Sequence, residues 1–135
     1  MQNMSSGKSA LGLDANVVAG LCYVGNLVCA LGLILSIITI VTDKTNKLAR
    51  FHAFQSLFLS LLGFVVGVLY WIIAVVGILL DNALGFPLFS LLFTLVVVLL
   101  WIVLLVGIII AAIKAFQGQI YKLPVVGNFA DQYSN

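Results

Sequence analysis

His52 is the one histidine among 135 residues. An imidazole can ligate a metal or a macrocycle, or relay a proton near neutral pH. Gln55 and Ser56 follow it by three and four residues, so in a helix all three share a face. A metal centre needs a larger ligand set, and no second set is visible. The plainer reading of His52 is a hydrogen-bonding side chain near lipid headgroups. Asn26 is the strongly polar residue set deep in an apolar stretch. An interhelical hydrogen bond there is worth roughly 1 kcal/mol. Trp71 and Trp101 offer aromatic surface to a pigment, quinone or partner helix, or else pack together or against lipid. His52, Trp71 and Trp101 are the weak candidates for contact with a pigment or haem. No cofactor or metal is predicted outright.

Catalysis has little to draw on. The chain has four acidic residues, all Asp, with no Glu. It carries no Walker loop, zinc-ligand spacing or paired carboxylates. Ser and Asp occur, but the predicted topology sets His52 across the membrane from Asp81, so a Ser-His-Asp set cannot assemble. The sequence therefore does not predict an enzyme. Cys22 and Cys29 lie about 10 Å apart along a helix. That exceeds the roughly 7 Å reach of a disulfide, and the spacing is not that of a CxxC pair. A net charge of +2 is too small for nucleic-acid binding.

The elements that must position these residues are apolar. The chain is 64% hydrophobic and 7% charged, where a soluble domain carries roughly a quarter charged residues. Three long runs stand out, and they predict an all-α, polytopic membrane protein with helices over 17–42, 50–80 and 88–113. Each apolar run extends about 37 Å as a helix, against a hydrocarbon core of about 30 Å. Residues 1–16 read as a retained polar tail, because they lack the layout of a signal peptide. Residues 114–135 read as an interfacial tail. In an up-down-up bundle, Lys44, Lys47, Arg50, Lys114 and Lys122 share one side and Lys8 lies on the other. The basic-residue bias then predicts the C-terminus in the cytoplasm and the N-terminus outside.

Small residues recur at alternating intervals of three and four. In the first helix they are Cys22, Gly25, Cys29, Gly32, Ser36 and Thr39; in the second, Ser56, Ser60, Gly63, Gly67, Tyr70, Ala74 and Gly77. This is seam spacing, and small residues let membrane helices approach closely. The pattern predicts that helices one and two pack along it. The third helix, almost wholly aliphatic around Trp101, is expected to be the outer one.

Two segments sit at predicted helix ends: Arg50-Phe51-His52-Ala53-Phe54-Gln55-Ser56, and Lys114-Ala115-Phe116-Gln117-Gly118 followed by Tyr121-Lys122-Leu123-Pro124-Val125-Val126-Gly127 and Ala130. With Leu21-Cys22-Tyr23, they resemble a bacterial family of small membrane proteins of unknown function. That family is grouped with the twenty-kilodalton (Tic-type) component of the chloroplast inner-envelope import machinery. The resemblance covers roughly residues 17 to 130 and marks Arg50, Phe51, His52, Gln55, Gly118, Tyr121, Lys122, Pro124 and Gly127. It implies no enzyme activity or cofactor; in the chloroplast relative it implies four helices and a part in a protein-conducting channel. Independently of it, Gly118 can end the third helix, and His52 and Gln55 are expected to meet the tail beyond.

The function expected from these readings is non-catalytic: a small subunit that packs within, or helps assemble, a larger membrane complex. One alternative is a component of a protein- or solute-translocating path. Another is an accessory, cofactor-contacting subunit of a respiratory or photosynthetic complex. The expected partners are lipids and other integral membrane proteins or a second copy, with no nucleic acid. The expected location is the bacterial inner (plasma) membrane.

Overall fold

The computed structural model of the chain describes residues 7–28 and 31–134; Cys29, one position of the predicted seam, lies outside them. The described residues form five helices: α1 (Ala15–Leu27), α2 (Leu31–Thr42), α3 (Lys47–Leu84), α4 (Leu88–Phe116) and α5 (Val126–Ser134). They fall into two units, Met1–Ser60 with Val106–Asn135, and Leu61–Leu105.

The first predicted span is not one helix. Helix α1 has 13 residues and α2 has 12, about 20 and 18 Å of rise. Neither crosses a core of about 30 Å alone. Val28 leaves helical geometry at φ −119° and ψ 84°, and the two helices fold back on each other. A Cβ added at Gly25 would come 2.6 Å from the Gly32 backbone nitrogen, and one at Gly32 would collide with the Cys22 carbonyl and with Asn26. Nearer the polar end, Ala10 N–H donates to Asp43 Oδ2 at 3.2 Å. The segment over 17–42 is therefore a helical hairpin, closed by two glycines whose missing side chains allow backbone contact. This corrects the prediction of three spans. It also removes the placement of the N-terminal segment and the 43–46 loop on opposite sides.

Two helices are long and apolar enough to cross a membrane, α3 with 38 residues and α4 with 29. Their ends are set by local chemistry. Asn46 caps α3, its Oδ1 accepting the Ala49 N–H at 3.2 Å. Gly85, at φ 77°, turns the chain out of α3. Asp81 in the last turns of α3 accepts the Phe89 and Ser90 N–H groups at 2.8 and 3.0 Å. It thereby satisfies amide donors that the start of α4 leaves open. Gly118, at φ 69°, ends α4. Its N–H bonds the Ala115 carbonyl and the Gln119 N–H bonds the Lys114 carbonyl, the paired bonds of a Schellman motif.

In the first unit α1 is the most enclosed helix: Val18, Ala19, Cys22 and Tyr23 are fully buried. Gly20 lies under the Phe116 ring so closely that any Cβ would collide with it. Asn16 Nδ2 donates to the Phe116 carbonyl at 3.0 Å. Ala15 packs with Leu48, Ala49 and Ile120. The N-terminal segment, the α2–α3 loop and the tail after α4 thus meet within this unit.

The second unit is a two-helix hairpin with little interior. Phe64 and Trp71 are each 70% exposed, and Trp101 is 47% exposed. A Cβ added at Gly63 would come 3.8 Å from the Trp101 ring edge and one at Gly77 3.6 Å from the Ser90 backbone, while one at Gly67 would meet nothing within 4 Å. The predicted seam on the second long run therefore divides. Ser56 and Ser60 meet α1, whereas Gly63 and Gly77 meet α4. This corrects the expectation that the whole stripe packs against the first helix. It also corrects the expected contrast between the long helices, since α3 and α4 are both apolar and exposed here.

Candidate functional site

The polar side chains that the sequence singles out converge in the first unit. Tyr23 from α1 and His52 from α3 are both fully buried. The Tyr23 hydroxyl lies 2.9 Å from His52 Nδ1, and His52 Nε2 lies 3.0 Å from the Gln119 carbonyl oxygen. A carbonyl only accepts, so Nε2 carries the proton and donates. In the neutral ring Nδ1 then accepts from the Tyr23 hydroxyl. Phe51 and Tyr23 stand edge-on to the imidazole, with centroids 5.2 and 5.6 Å away, so apolar surface closes the remaining sides.

Gln55, one turn further along α3, completes the grip on the tail. Its Nε2 donates to the Tyr121 carbonyl at 3.2 Å, and its Oε1 accepts the Leu123 N–H at 3.4 Å. The contact expected between His52, Gln55 and the tail is present. Lys114 Nζ adds a bond to Gln119 Oε1 at 3.2 Å. Residues 120–123 belong to no helix or strand, and these side chains supply partners to the backbone of the strip.

One turn deeper, Ser56 Oγ donates to the Cys22 carbonyl at 2.8 Å and accepts from Asn26 Nδ2 at 2.9 Å. Asn26 Oδ1 is 3.0 Å from Ser60 Oγ. Ser36 and Thr39 of α2, both buried, face the Cys22 thiol. Asn26 thus makes the kind of interhelical bond the sequence suggests, between the hairpin and α3.

The other marked residues fall around this network. Arg50 Nη1 donates to the Lys44 carbonyl at 3.2 Å. Lys122 pairs with Asp131 of α5 at 2.7 Å, and the hydrogen bond from Lys122 holds the Asp131 carboxyl below its ordinary range. Pro124 leads into a tight turn in which Val126 N–H bonds the Pro124 carbonyl at 2.8 Å and Val125 takes φ 66°. Gly127 sits so close to Lys122 that a Cβ would come 2.7 Å from the Lys122 Cα. Gly63, Gly67, Ala74, Gly77, Trp71 and Trp101 belong to the other unit.

The hydrogen bonds of the network join α1, α3 and the tail. A proton relay through His52 stops at Nε2, because a peptide carbonyl does not pass a proton on. Among the described residues no three His, Cys, Asp or Glu side chains gather to hold a metal ion. Sequence reasoning missed Tyr23 and Gln119 as the partners of His52. They lie 29 and 67 positions away, and Gln119 contributes a backbone carbonyl, which leaves no mark in a sequence.

Residues 14–130 match the family described as the magnetosome magnetite crystal formation protein family. A UPF0132 membrane protein of Methanocaldococcus jannaschii is 36% identical, with 95% of this chain and 96% of that protein covered. A second UPF0132 membrane protein of the same organism is 31% identical, over 92% of this chain and 73% of its own length. No solved structure matches. These findings correct the expected resemblance. The matched family is not the one grouped with the chloroplast import component, and the relatives are archaeal where bacterial ones were expected.

Proposed function

This chain belongs to the magnetosome magnetite crystal formation protein family, and from that premise we propose that it is a non-catalytic structural subunit of a membrane assembly. It is a membrane protein by its relatives and by its two long apolar helices. The family's description names crystal formation, while the relatives' names say only membrane protein. The reading takes what both allow, a membrane-embedded part that helps build something larger.

One observation carries it. The polar side chains of Tyr23, His52 and Ser56 bond the chain's own elements to one another, and the apolar faces of residues 61–105 are exposed. Three of the four carboxylates are engaged in the same way, and Asp14 is exposed just before α1. Asp43 and Asp81 accept backbone amides, and Asp131 pairs with Lys122. Such a chain supplies shape and apolar contact instead of reactive groups.

The proposal includes an orientation. All six Lys and Arg residues lie in the first unit, and the stretch from 51 to 113 carries Asp81 as its charged residue besides His52. By the basic-residue bias that unit's polar end faces the cytoplasm, with the N-terminal segment and the tail on the same side. The proposed membrane is the plasma membrane or one continuous with it.

The test is purification of the full chain from its own membrane in mild detergent, followed by native mass spectrometry and crosslinking. The expected result is a defined particle containing more than one polypeptide. A lone monomer that forms no crosslinks in the membrane sinks the proposal.

A further inference from the structure

Helix α5 carries three faces. Val126, Ala130 and Ser134 are buried against the rest of the first unit. Asn128, Asp131 and Gln132 form a polar side. Between them run Phe129 and Tyr133, spaced by four and exposed by 51% and 54%; Val125, in the turn just before the helix, is also exposed, by 71%, and extends the strip. Phe129 and Tyr133 rest on Phe58 of α3 with centroids 6.1 Å away, and Tyr133 also lies 6.2 Å from Phe54. The strip therefore continues the apolar surface of a helix that is long and apolar enough to cross a membrane.

Val125 adds an independent observation. It sits at φ 66°, a region where a β-branched side chain is a steric outlier. Glycine would adopt that turn without strain. No burial within the chain compensates, since the valine side chain is exposed. A strained residue that its own chain covers so little is consistent with a contact outside it.

We infer that the Val125–Phe129–Tyr133 strip is a membrane-interface anchor, seated in the glycerol and upper acyl region of the phospholipid leaflet beside the first unit. The chemistry fits that occupant. Tyr133 has the aromatic ring and polar tip that favour this depth, and a short helix with distinct polar and apolar faces, Phe129 on the apolar one, lies flat there. Lys47 and Lys122 flank the strip's polar side, where Lys47 also acts on Asp131, and they suit anionic headgroups. The inference rests on the membrane placement of the chain and adds a lipid-binding role for its last helix.

The test uses the full chain in vesicles of equal parts phosphatidylcholine and phosphatidylglycerol, the phosphatidylcholine brominated high on its acyl chains or, separately, near their ends. The native Trp71 and Trp101 report insertion, through quenching by the deep bromines. Phe129→Trp, in a chain also carrying Trp71→Phe and Trp101→Phe, reports the anchor. The expected result is that the Trp at 129 loses most of its emission to the shallow bromines and little to aqueous iodide. Val125→Lys should lower the bromine quenching, while Val125→Gly should keep the helical circular dichroism and also lower it. Iodide quenching without bromine quenching overturns the inference, as does protection from both, which would put α5 against protein. If Trp71 and Trp101 are quenched while the Trp at 129 is not, the anchor alone fails and the membrane reading stands.

Discussion

Tyr23→Phe removes the hydroxyl that donates to His52 Nδ1 and leaves a buried acceptor without a partner. In a membrane interior such a loss costs about 1 kcal/mol. His52→Leu frees both the Tyr23 hydroxyl and the Gln119 carbonyl and is expected to cost about 2 kcal/mol. Because the two residues share one bond, the double variant should cost less than the sum. Unfolding of each variant in bicelles measures this, and strictly additive losses would show that the bond is not made. The Lys122–Asp131 pair is exposed and behaves differently. Asp131 titrates below its ordinary value in the folded chain, chiefly through the Lys122 hydrogen bond. Whatever it contributes is present above the ordinary carboxylate value of about pH 3.9. It is lost as pH falls through the lower folded value. Amide exchange in α5 should therefore quicken on acidification through that range, and Asp131→Asn should flatten the dependence. A pH profile unchanged by that substitution would rule the pair out as the cause.

At the scale of elements, the glycines separate into those that must be glycine and those that need not be. Gly32→Ala places a methyl against the Cys22 carbonyl, where backbone has to move. Overpacking of this kind costs about 1–3 kcal/mol, and the α1–α2 hairpin should loosen, seen as faster proteolysis and a lower melting temperature. Gly67→Ala meets nothing within 4 Å. It should be neutral, or stabilising by up to about 1 kcal/mol through helix propensity. If the two substitutions behave alike, the hairpin geometry is wrong. The same glycines show how far the sequence could be read. The long runs after Leu57 and Leu88 are legible because hydropathy and length decide them. The first run misleads because its apolar composition continues through residues 28–30, with no Pro or charge to mark a break. A signal was nonetheless there. Cys22 and Gly25 before the break mirror Gly32 and Ser36 after it, as a helix folded onto itself requires. Seam spacing alone cannot tell contact between distant helices from contact across a turn. The His52–Gln55 face and its meeting with the tail were legible, since both polar groups stand at the end of an apolar run. Tyr23 was not, because its hydroxyl finds its partner only once α1 is packed.

For the whole molecule, the hairpin changes the expected arrangement of the chain across a bilayer. Single cysteines replacing Lys8, Lys44 and Lys122 should all react with an impermeant maleimide from one side, and a cysteine replacing Phe86 should react from the other. Labelling of Lys8→Cys and Lys44→Cys from opposite sides would restore three spans. The strip that closes the polar network also has a consequence in time. Residues 119–123 are translated after α1, α3 and α4, yet they supply the acceptors for His52 Nε2 and Gln55 Nε2. Until that strip has been made, His52 Nε2 and Gln55 Nε2 lack these acceptors, although His52 Nδ1 can already meet Tyr23. A chain interrupted before Gln119 would therefore bear open polar groups on α3, a mark by which quality control could single it out.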